Sequence, residues 1–340
     1  MKIIVDAMGG DHAPLEIVKG ALMARDEYKV EILFVGRTED VLRAMDECGL
    51  KELPEGVEIA NATEVIEMTD DPANAFRVKK DSSMTVGLNL LKEGKGDAFI
   101  SAGSTGALLS AATLLVKRVR GIRRVAFAPL IPTAKGRAVL CDCGANTECT
   151  VEYLLQFAYL GSFYAKEAMG IEKPRVALLN IGAEESKGCD LQREAYVKLK
   201  EAGEAGRLNF IGNIEGKEAI LGGADVIVTD GFTGNVMLKT LEGMGSYFVK
   251  TLKSMFTKNL LIKLGALSVK GDIKAFKAKV DINEVGGTAL LGISKPVVKA
   301  HGSSTAKAFC SAIRQAKMFA ESNIISEIEK NVEFMKVEKE

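Results

Sequence analysis

Five loops of the chain concentrate residues suited to holding anions and carbonyl oxygens. They read Asp6-Ala7-Met8-Gly9-Gly10-Asp11-His12, Ser101-Ala102-Gly103-Ser104-Thr105-Gly106, Asp142-Cys143-Gly144-Ala145-Asn146, Gly182-Ala183-Glu184-Glu185-Ser186-Lys187-Gly188 and Asp230-Gly231-Phe232-Thr233-Gly234-Asn235. The second follows an apolar strand and opens a helix at Gly106. Backbone N–H groups at a helix start, with two hydroxyls, make an anion site from Gly103, Ser104, Thr105 and Gly106. The competing reading is a tight turn with a Ser/Thr cap. The last loop repeats the strand–loop–helix pattern, so two such units in one cleft would hold a phosphate and a carbonyl oxygen side by side.

Lys187 sits in a Gly-flanked loop, where a lysine serves as a point charge for phosphate; a solvated loop lysine is the alternative. Glu184 and Glu185 beside it would bind a cation or pair with a basic residue. The two histidines, His12 and His301, both lie in Gly-rich polar loops. Each is a candidate donor to a phosphate oxygen or an oxyanion, against a turn-stabilising role. Ser303 and Ser304 open a further helix and add hydroxyls and N–H groups.

Several chemistries are disfavoured. The chain has no G-x-S-x-G elbow, no Walker A loop and no G-x-G-x-x-G after a strand. The Cys141, Cys143 and Cys149 spacing fits no standard zinc pattern, so no metal and no cofactor is expected.

The elements that must position these loops are short β-branched runs alternating with helical stretches. Strands are expected over 2–6, 30–35, 57–60, 98–101, 125–131, 138–141, 176–181, 209–214 and 225–229. Helices are expected over 14–26, 40–48, 106–117, 150–169 and 190–202. Most strand runs are apolar throughout, as for strands covered on both faces. The alternation predicts an α/β fold, a mostly parallel sheet with helices on both sides and function at the carboxyl ends of the strands.

With 340 residues, 47% hydrophobic and 26% charged, the composition is that of a folded protein with a real core. Basic and acidic residues number 45 each, and Trp is absent, which argues against nucleic-acid binding. The six cysteines show no framework spacing and read as free thiols in a reducing cytosol. The first residues read as a strand rather than a secretory signal, so none is expected. The longest strongly apolar run, 107–116, is too short to span a bilayer, so any membrane contact is expected to be peripheral.

Charge is nonetheless uneven. Residues 237–279 carry nine lysines against Glu242 and Asp272, while Met237, Leu241, Met244, Phe248, Leu252 and Met255 form one helical stripe. This reads as a helical hairpin insertion, 237–280, in an otherwise single domain of residues 1–330, followed by a charged tail, 331–340. One stripe packs in the core or at a dimer interface. The tip, with Leu260, Leu261, Ile262, Leu264, Lys258 and Lys263, is expected to touch anionic membrane.

Taken in order, the loops, with Gly144-Ala145-Asn146, Asn180-Ile181-Gly182 and His301-Gly302-Ser303-Ser304, resemble the phosphate acyltransferases of bacterial phospholipid synthesis. The motifs span nearly the whole chain. Ser104 stands where that family usually has Asn, and residues 284–289 depart from its usual pattern. The resemblance implies a three-layer α/β/α fold related to phosphotransacetylases and decarboxylating dehydrogenases. It implies a cytoplasmic homodimer, peripherally membrane-associated through the hairpin. It also implies acyl carrier protein and inorganic phosphate as substrates, and a membrane-bound glycerol-3-phosphate acyltransferase downstream. Asp6, Gly10, Asn146, Glu185, Asp230 and Thr233 are then expected to line the cleft.

The expected reaction is direct attack of phosphate on the thioester carbonyl. Phosphate would sit on the Ser101–Gly106 loop with Lys187. Asn235 would hold the carbonyl oxygen, assisted by His12 or His301. Arg118, Arg120, Arg123 and Arg124 are one candidate surface for an acidic carrier, against a solvated charged loop. The alternatives are a phosphotransacetylase-like enzyme using short acyl-coenzyme A, a non-catalytic membrane adaptor and, third, a decarboxylating dehydrogenase.

Overall fold

The computed structural model describes residues 1–258, 262, 269, 271–273, 276 and 286–337. Twelve strands among them form two sheets. The first contains β1 (Lys2–Asp6), β2 (Glu31–Gly36), β3 (Val57–Asn61), β4 (Ala98–Ser101), β5 (Ala126–Ala128), β11 (Gly287–Leu291) and β12 (Val297–Ala300), in the order β3-β2-β1-β4-β12-β11-β5. The second contains β6 (Leu130–Thr133), β7 (Gly136–Cys141), β8 (Arg175–Leu179), β9 (Asn209–Ile214) and β10 (Val226–Val228), in the order β6-β7-β10-β8-β9. Most pairings are parallel; β11 runs against β12 and β5, and β6 against β7.

The expected α/β class is therefore present, with the strands divided between two sheets. The run 125–131, expected as one strand, is cut at Pro129. Upstream, β5 pairs with β11; downstream, β6 pairs with β7. Proline cannot donate a ladder hydrogen bond, so it marks the natural crossing point.

Alternate strand residues enter different cores, as a pleated sheet dictates. Ile3, Val5, Val139 and Val226 face one cluster; Ile4, Phe99, Leu140 and Ile227 face the other. Helices α1 (Leu15–Tyr28), α2 (Thr38–Glu47), α6 (Val151–Met169) and α7 (Asp190–Glu204) supply the first cluster. Helices α3 (Ala75–Val78), α4 (Ser83–Lys92), α5 (Thr105–Ala111), α8 (Gly216–Ile220) and α9 (Gly231–Phe256) supply the second. Near the carboxyl end, α10 (Ala306–Glu321) and α11 (Ile324–Asn331) return to the first. Each cluster runs across both sheets, giving helix, sheet and helix layers.

The described part of the charged end, up to Val337, packs against the first core. Met335 is fully buried, Gln156 reaches its carbonyl, and Arg207 stacks over Phe334 at 4.2 Å. Among the described residues no helix is long and apolar enough to cross a membrane.

Helices α1 and α10 pack closely at Gly20. A Cβ there would lie 2.5 Å from the Ala306 carbonyl oxygen and 2.9 Å from Phe309 Cβ. The Ala306 N–H also donates to Glu16 Oε2 at 2.5 Å. This contact fixes the spacing of the β1–α1 and β12–α10 loops, where Asp11 N–H donates to Gly302 O at 2.8 Å. Gly20→Ala is expected to cost about 1–3 kcal/mol through overpacking. Urea unfolding checks this; unchanged stability would mean that the helices separate freely.

Candidate active site

A cavity of about 590 Å³ opens between the carboxyl-terminal edges of the two sheets. One end is polar: Asp11, Gly103, Thr105, Lys299, His301 and Ser303 line it. An apolar wall comes from Leu109, Phe127, Pro129, Leu130 and Leu238. Asn235, Lys239 and Glu242 project from α9, where Lys239 and Glu242 pair at 2.8 Å.

The sequence-expected residues divide into those on the cavity and those beneath or beside it. Gly103, Thr105, Gly106, Asn235, His301 and Ser303 line it. Ser104 is buried and caps α5, accepting from Ala107 N–H; this is the capping role. Ser304 is buried and donates to His301 O at 2.6 Å, closing the turn. Gly10 packs under the loops, where an added Cβ would meet Ala102 Cβ and Gly302 O at 3.0 Å.

Asp230 and Thr233 bond to each other rather than to the cavity. Asp230 accepts from Thr233 N–H and Thr233 Oγ1, both at 2.8 Å, and caps α9. The expected loop 231–235 is thus the first turn of α9, and the helix expected from 237 begins six residues earlier at Gly231. Asn146 is a brace: its Nδ2 donates to Val125 O at 2.8 Å and Asp142 Oδ2 at 3.0 Å.

Asp6 lies fully buried beneath the floor, accepting from Ser101 Oγ at 2.6 Å and Met8 N–H at 3.2 Å. Burial pushes its carboxyl up, against those hydrogen bonds. His12 is exposed next to Asp11 and outside the lining. Glu185 turns away to pair with Lys200 at 3.0 Å and accept from Tyr196 Oη at 3.0 Å. Lys187 is exposed on the loop after β8, also outside the lining. Its backbone is held by Asn180, whose Nδ2 donates to Lys187 O at 3.1 Å.

His301 has a defined tautomer. Ser303 N–H donates to its Nδ1 at 3.2 Å, which leaves the ring proton on Nε2. Desolvation lowers its pKa, so the ring is neutral at neutral pH and a hydrogen-bond donor through Nε2. The cysteines of the β7 loop are poor nucleophiles. Burial pushes the Cys143 and Cys149 thiols up to about 12, and Cys141 is raised too. Among the described residues no cluster of three metal-ligating side chains converges.

Sequence reasoning missed Lys299, Asp11, Lys239 and Glu242. Lys299 carried the clearest signal: one lysine inside the apolar run Val297–Ala300, directly before His301. The Arg118–Arg124 cluster lies at the far end of the β5–β11 pair, since Arg118 bridges Ile293. Arg123 pairs there with Glu152, and Arg124 stacks over Tyr153. Of the expected membrane-contact residues, Lys258 and Ile262 are exposed. Leu260, Leu261, Lys263 and Leu264, with most of 259–285, lie outside the described residues.

The architecture is that of the phosphotransacetylases. A phosphotransacetylase from Streptococcus pyogenes superposes with a TM-score of 0.65 at 20% identity, covering 97% of this chain and 94% of that one. A branched-chain phosphotransacylase from Enterococcus faecalis gives 0.58 at 15%, covering 94% and 100%. In sequence, residues 1–327 match the family model described as fatty acid synthesis protein. A phosphate acyltransferase from Thermoanaerobacter pseudethanolicus is 47% identical over 336 residues, 98% of each chain. One from Bacillus licheniformis is 43% identical over 335 residues, again 98% of each. The chain belongs to the phosphate acyltransferase family and is an acyltransferase.

Proposed function

We propose that the enzyme transfers a fatty acyl group from acyl carrier protein to inorganic phosphate, in the supply of acyl groups to phospholipid. The carrying observation is the cavity's division into a polar end beside an apolar wall. A phosphate oxygen attacks the thioester carbon, the C–O bond forms and the C–S bond breaks. The thiolate leaves with the carrier and takes up a proton, giving acyl phosphate and free carrier thiol. Thiolate is a good leaving group, so positioning and charge stabilisation carry the rate.

In this reading Asn235 Nδ2 and His301 Nε2 donate to the developing oxyanion, while the Gly103–Gly106 turn and Ser303 receive phosphate. The acyl chain lies along Leu109, Phe127, Leu130 and Leu238. Lys187 stays in the proposed set as a flanking cation. Because β8 and β10 are parallel neighbours, its loop and the α9 terminus leave the sheet side by side.

The proposed setting is a cytoplasmic homodimer, peripheral to the membrane and feeding a membrane-bound glycerol-3-phosphate acyltransferase. Support comes from exposed Phe232, Val236, Met244, Tyr247, Phe248 and Met255 along α9, beside the lysine-rich segment that follows.

The test is thioester loss from long-chain acyl-acyl carrier protein with and without inorganic phosphate, with hydroxylamine trapping of acyl phosphate. Phosphate-dependent trapping is expected. Turnover with short acyl-coenzyme A alone would move the enzyme to the phosphotransacetylase type. No turnover with either donor would sink the proposal.

A further inference from the structure

The cavity's polar end holds a cation whose role the reading above leaves open. Lys299 is the third residue of β12, the strand inserted between β4 and β11, and its register partners are Ser101 and Thr288. The end of the parallel neighbour β4 carries the Gly103–Gly106 turn, and the end of β12 itself carries the His301–Ser304 turn. Lys299 therefore rises between the two groups of N–H and hydroxyl donors. Its Nζ donates to Ala102 O at 3.3 Å and to Ala300 O, both carbonyls at those strand ends. An ammonium has three protons, so two carbonyl acceptors leave one for a ligand.

Charges of both signs face the ammonium. Asp6 faces the ammonium from β1 beneath the floor, and its buried carboxyl is raised. Asp11 faces it from the exposed β1–α1 loop. From α9, Lys239 adds positive charge but is paired with Glu242. His301, on the next turn, is neutral at neutral pH. The hydrogen bonds of this half-buried ammonium go to neutral carbonyls rather than to either carboxylate, which leaves its third proton for a phosphate oxygen.

We propose that Lys299 is the phosphate-binding cation of the cavity, holding inorganic phosphate between the Gly103–Gly106 and Ser303 donors for attack on the thioester. The proposal rests on the phosphate-acyltransfer reading of the same site. Burial lowers the Lys299 pKa to about 8, with Asp6 and Asp11 opposing and Lys239 assisting. The sign follows: the ammonium is charged below pH 8 and neutral above it. Phosphate affinity should then fall about tenfold per pH unit beyond about 8.5.

The experiment compares wild type, Lys299→Met and Lys299→Arg by steady-state kinetics and by calorimetric titration with inorganic phosphate alone. Lys299→Met is expected to raise the KM for phosphate about 10–100-fold, the loss of one charge-assisted hydrogen bond, with a much smaller change in the KM for the acyl donor. Lys299→Arg should recover part of that affinity and lose the alkaline weakening, because a guanidinium stays charged. A folded Lys299→Met protein with unchanged phosphate affinity overturns the proposal. So does an alkaline weakening that persists in Lys299→Arg. The titration needs no acyl donor. An enzyme that binds phosphate through Lys299 yet turns over no thioester would refute the proposed reaction and leave the anion site standing.

Discussion

Asn235→Ala is expected to lower turnover about 10²–10³-fold, the typical loss for one oxyanion donor. The prediction follows from where Asn235 sits. It lies one turn into α9, facing Gly144 across the cleft, where an added Cβ would come within 3.5 Å of its Cγ. The side chain is exposed in an open cavity, so truncation removes a donor without leaving a void in the core. Phosphate affinity and unfolding midpoint should stay near wild type, and the loss should appear in kcat. Single-turnover cleavage of the acyl thioester separates the chemical step from product release. Near-normal turnover in the folded variant would assign the oxyanion to other donors.

Asp142→Ala should be the most destabilising single change near the cleft, by about 4 kcal/mol. Asp142 is fully buried at the carboxyl end of β7. Its Oδ1 accepts from Phe127 N–H at 2.9 Å and Cys143 N–H at 2.6 Å. Its Oδ2 accepts from Asn146 N–H at 2.7 Å and Asn146 Nδ2 at 3.0 Å. Phe127 belongs to the first sheet and Asp142 directly follows Cys141, the last residue of β7 in the second, so one carboxylate ties the two together. Burial raises its pKa to about 6, against those four donors, and it is ionised at neutral pH. Removing it strands four donors where each unsatisfied group costs about 1–3 kcal/mol, not fully additively. Asp142→Asn keeps one acceptor oxygen and should cost about half as much. Denaturant unfolding of both variants decides the matter; equal losses would show that hydrogen-bond acceptance is not what holds the sheets together.

The same network explains a close approach on α9. A Cβ on Gly234 would sit 2.0 Å from the Asp142 carbonyl oxygen, so the helix start can reach the β7 loop only without a side chain at that position. Gly231 N–H, at the helix start, donates to Asn146 O at 2.7 Å. Asp142 thus holds the sheets and seats the helix that carries Asn235.

Much of the fold was legible because parallel strands buried on both faces read as continuous apolar runs. Lys2–Asp6 and Ala98–Ser101 fall where the pattern put them; Asn209–Ile214 does too, although it is an edge strand that is only partly buried. Strands β11 and β12 were not legible. Gly286, Gly287 and Thr288 look like a turn, and the lysine at 299 breaks the apolar pattern of its strand. That lysine is half-buried on the cavity wall, so the residue that obscured the strand is one that lines the site. The Asp230–Asn235 motif read as a loop because its residues favour caps and turns. In the fold Asp230 is the cap itself, and a capped first turn has the composition of a loop. Glu185 and Lys187 share one motif, yet Glu185 pairs outward with Lys200. Motif membership does not fix which way neighbouring side chains point.

The strand order of the first sheet has a consequence for synthesis. Strands β12 and β11 come from the last sixth of the chain but lie between β4 and β5. Until they emerge, β4 ends the β3-β2-β1-β4 half-sheet with an open ladder edge, and β5 has no partner in that sheet. Roughly 200 residues separate β4 from β12, and at about 5–20 residues per second the ribosome needs on the order of 10–40 s to make them. For that interval the nascent amino-terminal half exposes an unpaired apolar edge beside unfinished cores. A chain built this way completes its first sheet only once β11 and β12 have emerged, and depends on whatever shields that edge until then.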